Sequence, residues 1–195
     1  MNSKNKITEV AIIGLGYVGL PLALSFGMRK DIIVRGYDKD KQKIKSIERG
    51  ESYINHIPSI QIRKYIKKNF VENNFEKISQ AKIIFLCVPT PLKKNNKPDL
   101  SFIEKSLNQI FPYLKKKQAI SLESSTYPGT TEELIINKLN KKFRIGKDFF
   151  VIYSPEREDP GNKIKMRQIP KVVSGFSEKC LKIGYHYYSK VFKKV

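Results

Sequence analysis

A glycine motif near the start of the chain constrains its fold more than any other feature. Four apolar residues, Val10 to Ile13, predict a strand that is buried on both faces. Directly after them, Gly14, Gly16 and Gly19 stand at G-x-G-x-x-G spacing. The first glycine permits a tight turn, the second lets the backbone approach a pyrophosphate, and the third lets a following helix pack closely on the strand. The free N–H groups and the dipole of that helix suit a diphosphate.

An acidic residue at a suitable spacing supports a dinucleotide site. The next apolar run begins at Ile32 and ends at Asp38, which lies nineteen residues after Gly19. A carboxylate about 20 residues after the glycines is placed to bind the adenosine ribose. A tight turn without a ligand is the alternative, and the strand, the glycines, the helix and Asp38 together count against it.

With 195 residues the chain can bury one good-sized core, so we expect one globular domain plus the start of another. The chain has 40% hydrophobic residues and no run of 18 apolar residues, so we expect no transmembrane helix and no membrane partner. The N-terminus leads into the first strand without a signal-peptide apolar region, which favours the cytoplasm. Cys87 and Cys180 suggest no disulfide framework, and we expect Cys87 to be a buried core thiol. We assign no metal ligands.

The chain is strongly basic, with 38 Lys and Arg against 18 Asp and Glu, a net charge of +20. Such a balance can indicate nucleic-acid binding. The lysines, however, are scattered over every predicted helix and loop, with only short clusters such as 115–117 and 193–194. We therefore expect no nucleic-acid partner, although a basic surface would attract an anionic substrate.

Apolar runs and amphipathic segments alternate along the whole chain. The runs predict strands at 10–13, 32–37, 82–88, 118–122, 149–153 and 171–175. Helical patterns follow Gly19 and cover 39–49, 59–68, 101–114, 130–142 and 177–192. Ser101 with Glu104, and Thr130 with Glu133, form capping-box patterns, and Pro112 should kink or divide its helix. The alternation predicts an α/β fold, a Rossmann-like doubly wound parallel sheet.

Small and polar residues follow five of these runs. They are Gly14 to Gly19, Asp38, Pro89 with Thr90, Ser125 with Thr126, and Glu156. In open α/β sheets, ligands bind outside the carboxyl ends of the strands. We therefore expect all five groups at one edge of the sheet, around one ligand. Strand-ending prolines and a capping threonine would explain single positions but not the whole set.

Four of these loops carry recognisable motifs. In chain order they read G-L-G-Y-V-G-L-P, C-V-P-T-P-L, E-S-S-T-Y-P-G-T-T and Y-S-P-E-R-E-D-P-G-N. Together they resemble the N-terminal half of the UDP-glucose/GDP-mannose dehydrogenase family, and the resemblance covers essentially the whole chain. Segments 53–58 and 156–162 are similar to the subgroup of UDP-N-acetylglucosamine 6-dehydrogenase more than to UDP-glucose 6-dehydrogenase, which remains the alternative.

The resemblance implies a four-electron oxidation of a sugar C6 alcohol to a carboxylate with two NAD. A catalytic cysteine traps the intermediate aldehyde, and the resulting thioester is hydrolysed. The implied substrate is a UDP-N-acetylhexosamine, with UDP-N-acetylglucosamine expected. The complete enzyme would be a homo-oligomer that serves polysaccharide biosynthesis.

The resemblance also implies site residues. The cofactor positions are Gly14, Gly16, Tyr17, Val18, Gly19, Asp38, Lys43, Pro89, Thr90 and Thr126. Asp38 and Lys43 would bind the adenosine ribose. Thr126 would also help to position a water, and Glu156 would act in the acid/base and hydrolysis steps. Glu156 and Arg157 would contact the substrate. The alternative for Glu156 is an ordinary loop carboxylate paired with a lysine.

The resemblance implies that residues 1–195 are an NAD-binding Rossmann-like domain and that the chain ends near the boundary of this domain. It also implies that the family's catalytic cysteine belongs to a region beyond the end of this sequence. Neither Cys87, in a predicted strand, nor Cys180, in a stretch that reads as a basic surface, matches it. We expect a fragment, a split gene product or an expressed domain, inactive alone. Two alternatives remain open: an NAD-binding or partner-binding module without turnover, and a two-electron hydroxyacid-type dehydrogenase. The loops at 89–91 and 124–131 count against the second.

Overall fold

One seven-stranded sheet organises the chain. The computed structural model describes residues 7–94, 96–156 and 169–195. Its strands are β1 (Thr8–Ile13), β2 (Ile32–Tyr37), β3 (Phe70–Glu72), β4 (Ile83–Leu86), β5 (Ala119–Leu122), β6 (Phe150–Tyr153) and β7 (Ser174–Gly175). Their order across the sheet is β3-β2-β1-β4-β5-β6-β7.

The strand order confirms the Rossmann-like doubly wound fold. Strands β1 to β6 are parallel to one another. The predicted parallel sheet is confirmed, with one difference at its edge, where β7 pairs with β6 in the antiparallel direction. This last strand contains only Ser174 and Gly175, a much shorter segment than the predicted 171–175.

Helices cover both faces of the sheet. They are α1 (Gly19–Gly27), α2 (Lys41–Glu48), α3 (Ser59–Tyr65), α4 (Ser101–Ile110), α5 (Asn137–Leu139) and α6 (Glu178–Tyr188). A π-helical segment, Thr131–Ile136, leads into α5, and 3₁₀ turns lie at Glu76–Gln80 and Phe111–Tyr113. Pro112 lies in the second of these turns, so it divides the predicted helix 101–114 as expected.

The predicted capping boxes are wrong, because other side chains take the hydrogen bonds. Ser101 is the first residue of α4, and its N–H donates to Asp99 Oδ1 at 3.0 Å. The hydroxyl of Thr130 donates to the carbonyl of Tyr127 at 2.8 Å. Glu133 accepts a hydrogen bond from the Tyr127 hydroxyl at 2.6 Å. Tyr127 therefore takes both partners that the second capping box required.

The core has two layers, one on each face of the sheet. Val10 and Ile12 belong to one buried cluster, whereas Ala11 and Ile13 belong to the other. This division confirms that β1 is buried on both faces, as its unbroken apolar sequence predicts. Within the three described ranges, no helix is long and apolar enough to cross a membrane.

Candidate cofactor and substrate site

The carboxyl ends of the central strands bring the predicted site loops to one edge of the sheet. There, backbone N–H groups just beyond one strand donate to the last residues of its neighbour. These bonds join Gly14 to Tyr37, Cys87 to Ile13, Glu123 to Leu86 and Ser154 to Leu122, at 2.8 to 3.0 Å. The glycine loop, Asp38, residues 89–90, residues 125–126 and Glu156 all follow these strand ends.

Two glycines of the motif are required by the packing of the loop itself. Gly14 has a φ of +90°, in the left-handed region that favours glycine. A Cβ on Gly14 would lie 2.7 Å from the carbonyl oxygen of Cys87. A Cβ on Gly19 would lie 1.8 Å from the carbonyl oxygen of Gly14. Larger residues at either position would separate α1 from β1 and β4.

The middle glycine faces open space instead. A Cβ on Gly16 would have no heavy atom of the described residues within 4 Å. Packing therefore does not explain this glycine, whereas close approach of a pyrophosphate to the backbone does. Val18, the N-cap residue of α1, packs against the core, and Tyr17 is 62% exposed. The loop thus fits the diphosphate of a dinucleotide.

Asp38 is built into the glycine loop. Its Oδ2 accepts a hydrogen bond from the N–H of Leu15 at 2.8 Å, and its Oδ1 accepts from the N–H of Asp40 at 2.9 Å. The ammonium group of Lys43 lies 3.7 Å from Oδ2. An ionised carboxylate has about four lone-pair sites, so acceptor capacity remains for ribose hydroxyls. The structure therefore brings Asp38 and Lys43 together, as the resemblance implies.

The segment 53–58 lies against the same loop. The Tyr53 hydroxyl donates to the carbonyl of Leu15, and the Lys43 ammonium lies 5.8 Å from the centre of the Tyr53 ring. The rings of Tyr17 and His56 stack with their centroids 6.2 Å apart. Sequence reasoning singled out this segment but did not anticipate that Tyr53 supports the glycine loop.

Two hydroxyl groups join the loops that follow β4 and β5. Thr90 Oγ1 donates to the carbonyl of Ser125 at 2.8 Å, and Ser124 Oγ donates to the carbonyl of Val88 at 2.6 Å. The loops are therefore held beside each other at the central strands. The neighbouring site positions are Pro89, which is exposed, and Thr126, which is half-buried.

A buried cluster of charged groups lies where β5 and β6 end. The ammonium group of Lys171 is 2.7 Å from Glu123 Oε2 and 3.2 Å from Glu156 Oε2. It also donates to the carbonyl of Pro155 at 3.4 Å. The side chains of Lys171 and Glu123 are 2% and 0% exposed, and that of Glu156 is 14% exposed. The Tyr188 hydroxyl donates to Glu123.

This cluster combines one cation with two carboxylates. Burial raises the pKa of Glu123 to about 7, although the nearby Lys171 opposes that change. Burial alone would lower the pKa of Lys171, but Glu123 and Glu156 outweigh it, so this pKa is raised. Lys171 therefore remains charged near pH 7. Glu123 is the group that takes up a proton as the pH falls through about 7.

The two cysteines are both buried. Cys87 is 9% exposed, as expected for a core thiol, and burial raises its pKa well above the ordinary value. The prediction that Cys180 lies on a basic surface is wrong: it is fully buried, and its sulfur accepts from the N–H of Val151 at 3.4 Å. The raised pKa of Cys87 disfavours a nucleophilic thiolate there, and burial closes Cys180 off from a substrate.

Several site assignments stay predictions. Arg157 lies outside the described residues. Glu156 is paired with a lysine, as its alternative interpretation proposed, but the lysine is buried and lies at the site edge. Sequence reasoning missed Glu123 and Lys171. Glu123 directly follows a buried strand, which was a usable signal, whereas nothing distinguished Lys171 from the other lysines.

Comparison with known proteins identifies the family. The family model described as the NAD binding domain of the UDP-glucose/GDP-mannose dehydrogenase family matches residues 8–194. The chain belongs to this family. The prediction of NAD as the cofactor is thereby confirmed.

The chain is similar to curated proteins of this family. It is 37% identical over 188 residues to protein CapL of Staphylococcus aureus, a match that covers 94% of this chain and 43% of CapL. It is 35% identical over 173 residues to a UDP-N-acetyl-D-glucosamine 6-dehydrogenase of Pseudomonas aeruginosa, covering 87% of this chain and 40% of that protein. The chain thus spans less than half the length of these relatives.

A solved structure shows the same fold. The UDP-N-acetyl-mannosamine dehydrogenase Cap5O from Staphylococcus aureus matches with a TM-score of 0.88 at 26% identity. The match covers 96% of this chain and 46% of that one.

Proposed function

We propose that this chain is the cofactor-binding half of a nucleotide-sugar 6-dehydrogenase. The reaction would oxidise the C6 alcohol of a UDP-N-acetylhexosamine, most specifically UDP-N-acetylglucosamine, to the uronate with two NAD. The observation that carries the proposal is the meeting, at one sheet edge, of a loop fitted to a diphosphate and a carboxylate held by a buried lysine, Glu156.

The glycine loop would hold the cofactor. The open space at Gly16 admits the pyrophosphate, and the first turn of α1, at Val18 and Gly19, offers N–H groups to it. Asp38 would accept hydrogen bonds from the adenosine ribose, and Lys43 beside it would support this contact. Bound NAD supplies the hydride acceptor for the oxidation. Pro89, Thr90 and Thr126 would line its path along the sheet edge.

Glu156 would carry the acid/base chemistry. Alcohol oxidation requires removal of the hydroxyl proton, and hydrolysis of an acyl intermediate requires a water oriented near a base. Glu156 is partly exposed at the sheet edge, so its carboxylate can reach such groups. Thr126 lies on the neighbouring loop and would help to orient the water.

The proposal that the substrate is a UDP-N-acetylhexosamine is based on two segments whose sequences resemble that subgroup. Residues 53–58 pack on the glycine loop, and residues 156–162 begin at the proposed catalytic residue Glu156. One curated relative is named a UDP-N-acetyl-D-glucosamine 6-dehydrogenase, and one structural relative is titled a UDP-N-acetyl-mannosamine dehydrogenase. Arg157 or His56 would supply polar contacts to an acetamido group. A plain sugar would leave those contacts unpaired, which can cost orders of magnitude in selectivity.

Steady-state kinetics test the proposal on the protein expressed from its whole reading frame. We expect kcat/KM to be higher for UDP-N-acetylglucosamine than for UDP-glucose, with two NADH formed per sugar. A clear preference for UDP-glucose would contradict the substrate subgroup. One NADH per sugar with release of free aldehyde would contradict the four-electron mechanism.

A further inference from the structure

Lys171 and Glu123 are buried too deeply to bind substrate directly, yet both contact Glu156. Lys171 donates to Glu123, Glu156 and the carbonyl of Pro155 at 2.7, 3.2 and 3.4 Å. The backbone N–H of Glu156 also donates to the carbonyl of Glu123 at 3.1 Å. Glu156 is thus held at its main chain by Glu123 and at its side chain by Lys171.

We propose that Lys171 and Glu123 are positioning residues, which hold the Glu156 carboxylate at the cofactor edge and couple its charge to the protonation of Glu123. This inference rests on the catalytic role proposed for Glu156. Lys171 orients the carboxylate through a charge-assisted hydrogen bond. Glu123 is fully buried and pairs with the same lysine. Its protonation state therefore changes how strongly Lys171 stabilises the negative charge of Glu156.

The groups facing Glu123 define this coupling. Lys171 and Glu156 are its charged neighbours. The hydroxyls of Ser121 on β5 and Tyr188 on α6 hydrogen-bond around it, and the Cys87 thiol just beyond β4 interacts with it electrostatically. When Glu123 is protonated, the positive charge of Lys171 acts on Glu156 alone. When Glu123 ionises, two negative charges share one cation, and each then favours a proton on the other.

Structural stabilisation alone is a poor explanation for this arrangement. A buried ion pair often adds no net stability compared with apolar residues of similar volume, because desolvation offsets the attraction. A buried lysine and a second, buried carboxylate beside the partly exposed Glu156 carboxylate instead suit control of that carboxylate. The centres of the Tyr188 and Phe192 rings lie 5.7 and 5.6 Å from the Lys171 ammonium group. These rings cover the ammonium group on the side of α6.

The coupling is reciprocal, so it can be measured from Glu123 in the chain itself. We would follow the ¹³C signal of the Glu123 carboxyl group by NMR during a pH titration, with the signal assigned by its loss in Glu123→Gln. We expect Glu156→Gln to lower the Glu123 midpoint by about one pH unit, because it removes a like charge. The control Glu178→Gln, an exposed carboxylate on α6, should leave the midpoint unchanged. An unchanged midpoint in Glu156→Gln would overturn the proposal.

Catalysis by the complete protein tests the positioning role. Lys171→Arg should retain kcat within about tenfold, whereas Lys171→Met should lose at least about a hundredfold in kcat with the KM for NAD unchanged. Glu123→Gln should alter the pH profile of kcat near pH 7, which a purely structural role would not do. If Lys171→Met fails to fold, the kcat of Lys171→Arg and the pH profile of Glu123→Gln test the positioning role. A Glu123→Gln profile identical to that of the unmodified protein would overturn the coupling.

Failure of the dehydrogenase proposal can be distinguished from failure of the coupling between Glu123 and Glu156. Absence of any turnover by the complete protein would contradict the dehydrogenase proposal, while the NMR titration would still decide whether Glu123 and Glu156 are coupled.

Discussion

At the scale of single residues, Gly14 and Gly16 are two positions apart but have different roles. Gly14→Ala should lower the free energy of unfolding by several kcal/mol, because it combines left-handed backbone with a contact of 2.7 Å to Cys87. Gly16→Ala should change it by less than about 0.5 kcal/mol, because its methyl group enters open space. The same methyl group should weaken NAD binding at least about tenfold, or about 1.4 kcal/mol.

Urea denaturation and titration calorimetry on the two variants check this pair. Gly16→Ala acts as the folded control for Gly14→Ala. Unweakened binding of NAD by Gly16→Ala would show that the pyrophosphate does not approach this part of the loop.

Glu123 predicts a dependence of stability on pH. Its pKa is raised from 4.5 to about 7 in the folded chain, so the folded state binds more protons than the unfolded state between these values. The free energy of unfolding should therefore be greatest below about pH 4.5 as far as Glu123 contributes, and fall by about 1 to 3 kcal/mol as the pH rises through 7. Glu123→Gln should lack this component. Urea denaturation of both proteins across this range measures the difference, and parallel pH dependences would contradict the assignment.

Sequence analysis predicted residues whose roles depend on local spacing and missed those that depend on distant contacts. The glycines and Asp38 belong to one βαβ unit, so spacing alone identified them. Lys171 meets Glu123 across 48 residues, and no local pattern indicates that meeting. Cys180 was misplaced because its neighbours are lysines. It shares the buried face of α6 with Gly184 and Tyr188, at intervals of four residues.

At the scale of secondary-structure elements, α2 depends on its N-cap. Asp40 accepts hydrogen bonds from the N–H groups of Gln42 and Lys43 at 2.9 and 3.4 Å. Asp40→Ala should lower the free energy of unfolding by about 1 kcal/mol, whereas Asp40→Asn, which also caps helices well, should lower it much less. Chemical denaturation distinguishes the two variants. Equal losses in both would show that the negative charge of Asp40, and not its capping bonds, supports α2.

The elements that sequence analysis predicted are the long apolar or amphipathic ones. Strands β1, β2, β4, β5 and β6 lie where mostly apolar runs predicted strands, although β2 also contains Arg35 and β5 contains Ser121. Strand β3 was missed because it has only three residues, is partly exposed and lies at the sheet edge. So short and exposed a strand shows no run or alternation of apolar residues. The capping boxes failed because Asp99 and Tyr127, just outside the predicted pairs, offer competing hydrogen bonds.

At the scale of the whole molecule, the buried cysteines predict that this chain has no dehydrogenase turnover alone. Cys87 and Cys180 are 9% and 0% exposed, and the raised pKa of Cys87 disfavours its thiolate. We expect no sustained NADH formation when the purified chain is mixed with NAD and a UDP-sugar, followed by absorbance. Sustained formation would contradict this, and Cys87→Ser and Cys180→Ser would then show which thiol acts.

Selectivity for NAD over NADP depends on the charges around Asp38. The Asp38 carboxylate would repel a 2′-phosphate. Arg35 is 5% exposed and binds Glu9 and Glu72, so it is not available to a phosphate. The ammonium group of Lys43 lies 3.7 Å from Asp38 Oδ2, so its charge offsets that carboxylate more than it would a 2′-phosphate.

Titration calorimetry of the chain with NAD and with NADP tests the central claim most directly, which is that this sheet edge is an NAD site. We expect one NAD per chain, bound at least about tenfold more tightly than NADP, and a reduced preference in Asp38→Ala. Equal or tighter binding of NADP, or no binding of NAD by the folded chain, would contradict the account.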